Sequence, residues 1–155
     1  MEALIFLTGF MGSGKSTVGR LLARRLRRRF VDLDREIERR EGRSIPELFA
    51  EGEASFRAAE TRALKAVRGP AVVALGGGAL LHNAVEGALI KLTCAEPELW
   101  RRLKPQLAAR PLLKGGRPAM RRLLKARRYP GRAFSTTRKP PQRVAKEIER
   151  WLRAS

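Results

Sequence analysis

Short apolar runs alternate along the chain with segments in which apolar residues recur every three or four positions. The short runs predict buried β-strands at 3–8, 29–32, 71–75, 88–93 and 133–136. The periodic segments predict helices at 15–28, 34–41, 45–51, 53–67, 97–104, 118–128 and 141–153. Strands that alternate with helices usually form a parallel sheet with helices on both faces. The pattern therefore predicts a three-layer α/β/α fold around a central five-stranded parallel sheet.

Helix-end signals and one proline-rich stretch refine this pattern. Ser44 and Glu47 have the spacing of a capping box, with Pro46 inside the first turn of the helix. The stretch 105–118 contains three prolines and two glycines, and it predicts an irregular, mobile segment. Long segments of this kind inside compact domains are often lids.

The length and the cysteine content bound the class of protein. A chain of 155 residues can form one domain with its own core, and no linker or internal repeat divides 1–155. The single cysteine, Cys94, excludes an internal disulfide and fits a reducing compartment. No apolar run approaches membrane-spanning length, and no basic leader precedes residues 3–7. We therefore expect a cytoplasmic protein that does not contact membranes.

The net charge of +19 is concentrated in the last third of the chain. Residues 1–100 carry 16 lysines and arginines against 13 acidic residues, whereas residues 101–155 carry 18 against 2. Such a basic region suits a polyanionic partner, either the phosphates of a nucleotide or a nucleic acid. Arginine-rich helix faces are also ordinary solvated surface, and we favour that interpretation for most of these arginines.

The segment Gly9–Gly19 reads Gly-Phe-Met-Gly-Ser-Gly-Lys-Ser-Thr-Val-Gly and contains the pattern of a phosphate-binding loop. A predicted strand precedes it and a predicted helix follows it, which is the context that this loop requires. Its glycines let the backbone turn its N–H groups toward phosphates, and the helix N-terminus favours negative charge. Lys15 is expected to lie against the β- and γ-phosphates, and the Ser16 hydroxyl is expected to bind Mg²⁺.

Two carboxylates, Asp32 and Asp34, follow the second predicted strand. In an extended chain this spacing places both side chains on one side, at the strand end where ligands bind in parallel sheets. One carboxylate is suited to hold Mg²⁺ through water and the other to accept a hydrogen bond from a substrate hydroxyl. The alternative is that Asp34 only caps the helix that contains Ile37.

Three further features are candidates for chemistry. Arg57 and Glu60 are spaced to pair on a helix, as ordinary surface pairs also are. The triple glycine 76–78 follows a predicted strand and permits close approach of a ligand. Arg110 lies in the predicted lid, from which a guanidinium can close over a transferring phosphoryl group, although the segment is rich in arginine. His82 and Cys94 have no partners at metal or nucleophile spacing, so we interpret both as structural.

Taken together, the motifs resemble those of the shikimate kinases, a family with a small nucleoside-monophosphate-kinase-like fold. The resemblance covers the chain to about residue 113. It consists, in order, of the phosphate loop at 9–19, Phe30-x-Asp32-x-Asp34-x-x-Ile37-Glu38, Gly42-x-x-Ile45-x-x-Leu48-Phe49, Gly52-Glu53-x-x-Phe56-Arg57-x-x-Glu60, Leu75-Gly76-Gly77-Gly78-Ala79 and Arg110-Pro111-Leu112-Leu113. The phosphate loop is generic, whereas the Asp-x-Asp, Phe-Arg-x-x-Glu and Gly-Gly-Gly-Ala elements at these intervals are specific to the family.

The resemblance implies roles for individual residues. ATP would be bound by Gly12, Ser13, Gly14, Lys15, Ser16, Thr17, Arg102 and Arg110, and Mg²⁺ by Ser16 and Asp32. The substrate would be bound by Asp34 through its hydroxyls, by Arg57 through its carboxylate, and by Gly76, Gly77 and Gly78. Lys15, Asp34 and Arg110 would be catalytic. The substrate-binding region would span about 33–62 and the lid about 105–118.

The family also has a second carboxylate-binding arginine after the lid, and here the sequence departs from the family pattern. Lys125, Arg127, Arg128 and Arg132 are the candidates. We choose Arg128 because it stands two residues before a proline, and because arginine binds a carboxylate bidentately whereas lysine does not.

The implied reaction is transfer of the γ-phosphate of ATP to the 3-hydroxyl of shikimate, a step of aromatic amino acid biosynthesis, in a monomeric P-loop kinase. We expect Mg²⁺ and Arg57 to favour the ionised form of Asp34 and so to make it a weak base. Two alternatives remain: a related small-molecule kinase, such as a gluconate kinase, and a basic P-loop protein that binds nucleic acid. A third, a regulatory relative that binds shikimate without turnover, is disfavoured by the intact Lys15, Asp34 and Arg110. The few aromatic residues of the basic region argue against the second, and no specific nucleic acid is expected as a partner.

Overall fold

A computed structural model describes all residues from 1 to 155. Its single sheet has five parallel strands in the order β2-β3-β1-β4-β5. The strands are β1 (Leu4–Gly9), β2 (Arg29–Asp32), β3 (Ala71–Ala74), β4 (Ala88–Thr93) and β5 (Arg132–Ser135). The predicted parallel sheet of five strands is therefore confirmed.

Eight helices connect and cover the strands. They are α1 (Lys15–Leu26), α2 (Leu33–Glu41), α3 (Ile45–Ala50), α4 (Glu53–Ala66), α5 (Ala79–His82), α6 (Glu96–Leu103), α7 (Arg117–Ala126) and α8 (Pro141–Ala154). The short helix α5 was not predicted, because four residues are too few to show a helical period. The Ser44 hydroxyl caps α3 by accepting a hydrogen bond from the Glu47 N–H, as expected. No helix has the length and apolar character needed to cross a membrane.

The layers follow from the alternation of side chains along the central strand β1. Phe6 packs on one face of the sheet with residues of α2 and α4, whereas Ile5 and Leu7 pack on the other face with residues of α1 and α8. All three side chains are buried, as expected for a central strand covered on both faces. The packing confirms the predicted α/β/α order.

The segment 105–118 is partly regular. It contains two 3₁₀ turns, Lys104–Ala109 and Pro111–Leu113. Leu113 is fully buried in a small core beside the phosphate loop, together with Phe10, Leu99, Leu103 and Met120. This core fixes the end of the segment next to α7, so the prediction that the whole stretch is irregular was wrong.

Candidate active site

A cavity of about 860 Å³ opens at the carboxyl edge of the sheet. Parallel strands place their following loops on this edge, where ligands bind in open α/β sheets. The cavity brings together almost all of the predicted site residues: Gly12, Ser13, Gly14, Lys15, Ser16, Thr17, Asp32, Asp34, Arg57, Gly76, Gly77, Gly78, Arg102 and Arg110. Of the residues chosen from the sequence, Arg128 alone does not line it.

The phosphate loop connects β1 to α1, and its backbone is arranged for an anion. Gly14, which precedes α1, has a φ of 102°, a conformation that glycine adopts readily. No side chain caps the N-terminus of α1, and its first turn holds no acidic residue. The free N–H groups and the helix dipole therefore point at an anion-binding position. These features fit the phosphates of a nucleotide.

Lys15 lies at this position with its ammonium group turned toward the protein. Its Nζ donates to the carbonyl oxygens of Gly9 at 2.5 Å and Phe10 at 3.2 Å. Burial lowers the pKa of Lys15 to about 8, and the nearby carboxylate of Asp34 partly offsets this effect. The side chain is therefore still protonated at neutral pH, as a phosphate ligand must be.

Asp32 marks the end of β2 and the start of α2. Its carboxylate accepts hydrogen bonds from the Ser16 hydroxyl at 3.3 Å and from the Arg35 N–H at 3.4 Å, which makes it the N-cap of α2. The oxygens of Ser16 and Asp32 are hard ligands, which suit Mg²⁺. No group of three or more histidine, cysteine or acidic side chains in the chain could hold a metal by itself. The pair fits an ion that keeps several waters.

Asp34 reaches the cavity from the helix predicted at 34–41, and the assumption that Asp32 and Asp34 form an extended pair was wrong. The strand ends at Asp32, so Asp34 belongs to the first turn of α2 and does not extend from a strand. The alternative reading of Asp34 as the helix cap was also wrong, because Asp32 takes that role. Asp34 thus lines the cavity without a capping function.

The electrostatic environment of Asp34 in the free protein is dominated by burial and by neighbouring carboxylates. Burial, followed by the neighbouring carboxylates of Asp32 and Glu60, raises the pKa of Asp34 to about 6, while Lys15 opposes the change. In the protein without Mg²⁺, Asp34 is therefore not the weak base that was expected, and the effect of Mg²⁺ on its pKa stays a prediction. Asp34 is a stronger base than an ordinary aspartate and is still ionised at neutral pH.

Arg57 lies on α4 with its guanidinium directed into the cavity. Its Nη1 donates to Glu60 at 2.9 Å, and Glu60 is only 1% exposed. Its Nε is buried without a hydrogen-bond partner and lies 3.6 Å from a carboxylate oxygen of Glu53. The ring of Phe56 packs beneath the guanidinium at 5.1 Å. Arg57 is thus held in place and keeps donor capacity for a ligand anion.

The glycines 76–78 follow β3 and make room for three charged side chains. A Cβ atom on Gly76 would lie 2.9 Å from a carboxylate oxygen of Asp34, and one on Gly78 would lie 2.6 Å from Arg57. A Cβ on Gly77 would overlap the guanidinium of Arg127. Each glycine therefore permits the close approach of a different functional group.

The position of Arg127 against Gly77 corrects the prediction for the second carboxylate-binding arginine. Arg127 lines the cavity, whereas Arg128 is exposed outside it and donates to the carbonyl oxygens of Lys125 and Arg127. The backbone is extended at Arg127, where α7 ends, so that successive side chains point to opposite sides. Arg127 therefore replaces Arg128 as the residue that faces the cavity.

Two arginines approach from the lid side. Arg110 donates from Nε and Nη2 to the side-chain oxygen of Gln106, at 3.0 and 2.8 Å. Arg102 donates to the carbonyl oxygens of Gly12 at 2.9 Å and Thr136 at 3.1 Å. Gln106 and Thr136 also line the cavity, and the sequence analysis did not identify them as site residues. The spacing of Gln106 to Arg110 on one turn was a usable signal, but nothing in the sequence indicated Thr136.

Comparison with known proteins gives one consistent result. A family model described as shikimate kinase matches residues 11–153. The shikimate kinase of Moorella thermoacetica is 41% identical over 99% of this chain and 96% of its own length. That of Chlorobium luteolum is 47% identical over 74% of this chain, and the match spans only 60% of the relative's length.

Solved structures agree with the sequence matches. The shikimate kinase of Acinetobacter baumannii in complex with shikimate has a TM-score of 0.84 and 33% identity, with 98% of this chain and 93% of that chain covered. A gluconokinase from Sinorhizobium meliloti has a TM-score of 0.57 and 22% identity over 99% of this chain and 97% of its own, which shows likeness of fold alone. On the extent of these matches, the chain belongs to the shikimate kinase family.

Proposed function

We propose that the protein transfers the γ-phosphate of ATP to the 3-hydroxyl of shikimate, giving ADP and shikimate 3-phosphate. The observation that carries this proposal is the position of Asp34, Arg57 and Arg127 around the glycine turn 76–78, in the same cavity as the phosphate loop. A carboxylate that accepts a hydrogen bond from a hydroxyl, and two guanidinium groups that bind a carboxylate, lie beside the nucleotide site. This arrangement matches a small hydroxylated acid as the substrate. The A. baumannii relative, whose structure contains shikimate, supports this choice.

The nucleotide is assigned to the phosphate loop, from Gly12 to Thr17. Lys15 would turn from the carbonyl oxygens of Gly9 and Phe10 toward the phosphates, and Arg110 would leave Gln106 to neutralise charge on the transferring group. Ser16 and Asp32 would hold Mg²⁺, which when bound neutralises phosphate charge. Phosphoryl transfer depends mainly on such positioning and charge neutralisation.

Asp34 is assigned to the acceptor hydroxyl. A carboxylate with a pKa near 6 is ionised at neutral pH and accepts a hydrogen bond from the hydroxyl, which aligns the attacking oxygen. Its raised basicity also suits it to take the hydroxyl proton as the new bond to phosphorus forms. The carboxylates of Asp32 and Glu60 raise that basicity.

Arg57 and Arg127 are assigned to the substrate carboxylate. The guanidinium of Arg57 lines the cavity, and its fork geometry suits a bidentate contact. Binding energy at this end of the substrate holds the hydroxyl in line with the phosphate at the other end. Loss of either arginine should therefore weaken the binding of shikimate more than that of ATP.

The same proposal covers the organisation of the chain. Residues 1–155 would form one domain, with the substrate region at about 33–62 and the lid at about 105–118. The protein would act as a monomer in the cytoplasm, and the single free cysteine suits that compartment. Size-exclusion chromatography with light scattering at assay concentrations should give one chain per particle.

The decisive experiment measures ADP release by the purified protein with ATP and Mg²⁺, in the presence and absence of shikimate. Strong dependence on shikimate is expected, with no comparable rate for gluconate or quinate. The variant Asp34→Asn serves as the catalytically inactive control. A rate that is independent of shikimate, or a preference for gluconate, would contradict the proposal. Oligonucleotide binding that persists at moderate salt would instead favour the nucleic-acid alternative.

A further inference from the structure

Two consecutive carbonyl groups of the phosphate loop are each held by one distant donor. The Gly12 carbonyl accepts only from Nη1 of Arg102, at 2.9 Å. The Ser13 carbonyl accepts only from the hydroxyl of Thr136, at 2.9 Å. Thr136 lies 123 positions away along the chain and is 3% exposed. The loop is therefore fixed by one donor from α6 and one from the connection after β5.

The Thr136 hydroxyl donates its proton to the Ser13 carbonyl oxygen rather than to a second acceptor nearby. The other acceptor near it, the Thr93 carbonyl at 3.1 Å, already accepts the Thr136 N–H at 2.7 Å. Arg102 donates to the same hydroxyl oxygen at 3.3 Å, which leaves the hydroxyl free to donate elsewhere. Thr136 thus links Arg102 to the loop with its donor and acceptor capacity both used.

The orientation of the Ser13 carbonyl determines that of the next N–H group. In a trans peptide unit the C=O of Ser13 and the N–H of Gly14 point in opposite directions. The Gly14 N–H has no acceptor in the protein, and Gly14 lines the cavity immediately before α1. Holding the carbonyl on one side therefore holds this N–H ready for an anion on the other.

We propose that Thr136 is a positioning residue for nucleotide phosphates, acting through the peptide unit between Ser13 and Gly14. The inference rests on the assignment of ATP to the phosphate loop in the proposed function. Thr136 itself does not need to touch the nucleotide. Its contribution is to preserve, before binding, the direction of a donor that would otherwise rotate with the flexible glycine.

The variant Thr136→Val tests this role because valine keeps the shape and removes the hydroxyl. We expect the affinity for ADP, measured by calorimetry without shikimate, to fall about tenfold, while the affinity for adenosine stays unchanged. The KM for ATP should rise in parallel and the KM for shikimate should not. Thr136→Ser, which restores the hydroxyl, should recover ADP affinity.

Thr8→Val is the matched control. Thr8 is also 3% exposed, and its hydroxyl donates to a backbone carbonyl, that of Pro130, at 2.8 Å. The Thr8→Val variant should lose about as much stability to urea as Thr136→Val, without loss of ADP affinity. An unchanged ADP affinity in Thr136→Val, or an equal loss for ADP and adenosine, would overturn the proposal. ADP binding by a wild-type protein that does not phosphorylate shikimate would contradict the proposed function but leave this comparison intact.

Discussion

Replacement of Asp34 by asparagine should stabilise the free protein while it abolishes turnover. Burial and the neighbouring carboxylates raise the pKa of Asp34 from 3.8 to about 6. A difference of one unit between the folded-state and unfolded-state pKa corresponds to about 1.36 kcal/mol. The ionised side chain therefore lowers the free energy of unfolding by about 3 kcal/mol at pH values above its folded-state pKa. Asparagine has a similar shape and does not carry this charge.

The pH dependence gives the prediction its specific form. The folded state binds the Asp34 proton more tightly than the unfolded state, so the contribution of Asp34 to stability falls as the pH rises from 3.8 to about 6 and is then level. The advantage of Asp34→Asn should be about 3 kcal/mol at pH 8, about 1.6 kcal/mol at pH 5 and about 0.5 kcal/mol at pH 4. The gain should thus shrink in acid.

Urea unfolding of both proteins at pH 5 and pH 8 measures this difference, and coupled ADP release measures the loss of turnover. Glu36→Gln is the control, because hydrogen bonding to Arg39 lowers the pKa of Glu36 and its removal should bring no gain. Equal stability of Asp34→Asn and wild type at pH 8, or a gain that is constant between the two pH values, would refute the electrostatic argument. Turnover like that of wild type would remove Asp34 from the mechanism.

Four further variants test the substrate side of the cavity by steady-state kinetics. Arg57→Ala should raise the KM for shikimate about 10- to 100-fold and the KM for ATP far less, because a charged hydrogen-bond donor to the substrate is lost; equal changes for both substrates would count against the assignment. Arg127→Ala should raise the KM for shikimate about tenfold, whereas Arg128→Ala should change it less than about twofold, and the reverse order would restore the choice made from the sequence. Gly78→Ala should weaken shikimate binding about tenfold, since the methyl group would lie 2.6 Å from Arg57; retention of wild-type affinity would show that the guanidinium can move aside.

The sequence predicted the sheet and the phosphate loop because both depend on local patterns. It placed Asp34 at the start of a helix, but it did not predict that Asp32 caps this helix through the hydrogen bond to the Arg35 N–H. It also chose Arg128 over Arg127, because the direction of each side chain depends on where α7 ends. The raised pKa of Asp34 depends on carboxylates and burial that only the folded chain brings together.

Thr136 shows the remaining limit. Its bond to the Ser13 carbonyl joins positions 123 residues apart, and no motif surrounds it. Periodicity and spacing act over a few turns of chain, so they identify the loop that binds phosphate but not the distant groups that hold the loop in place.

The turn formed by Gly76, Gly77 and Gly78 has a consequence for protein engineering. Three charges carried by α2, α4 and the segment after α7 all rest against one tripeptide of bare backbone. A designer who wishes to transplant this pocket into another scaffold must carry the tripeptide together with the three charged residues. Attempts to widen the acceptor range should begin at those charged partners, because any side chain added to the turn displaces its opposing charge and narrows the space.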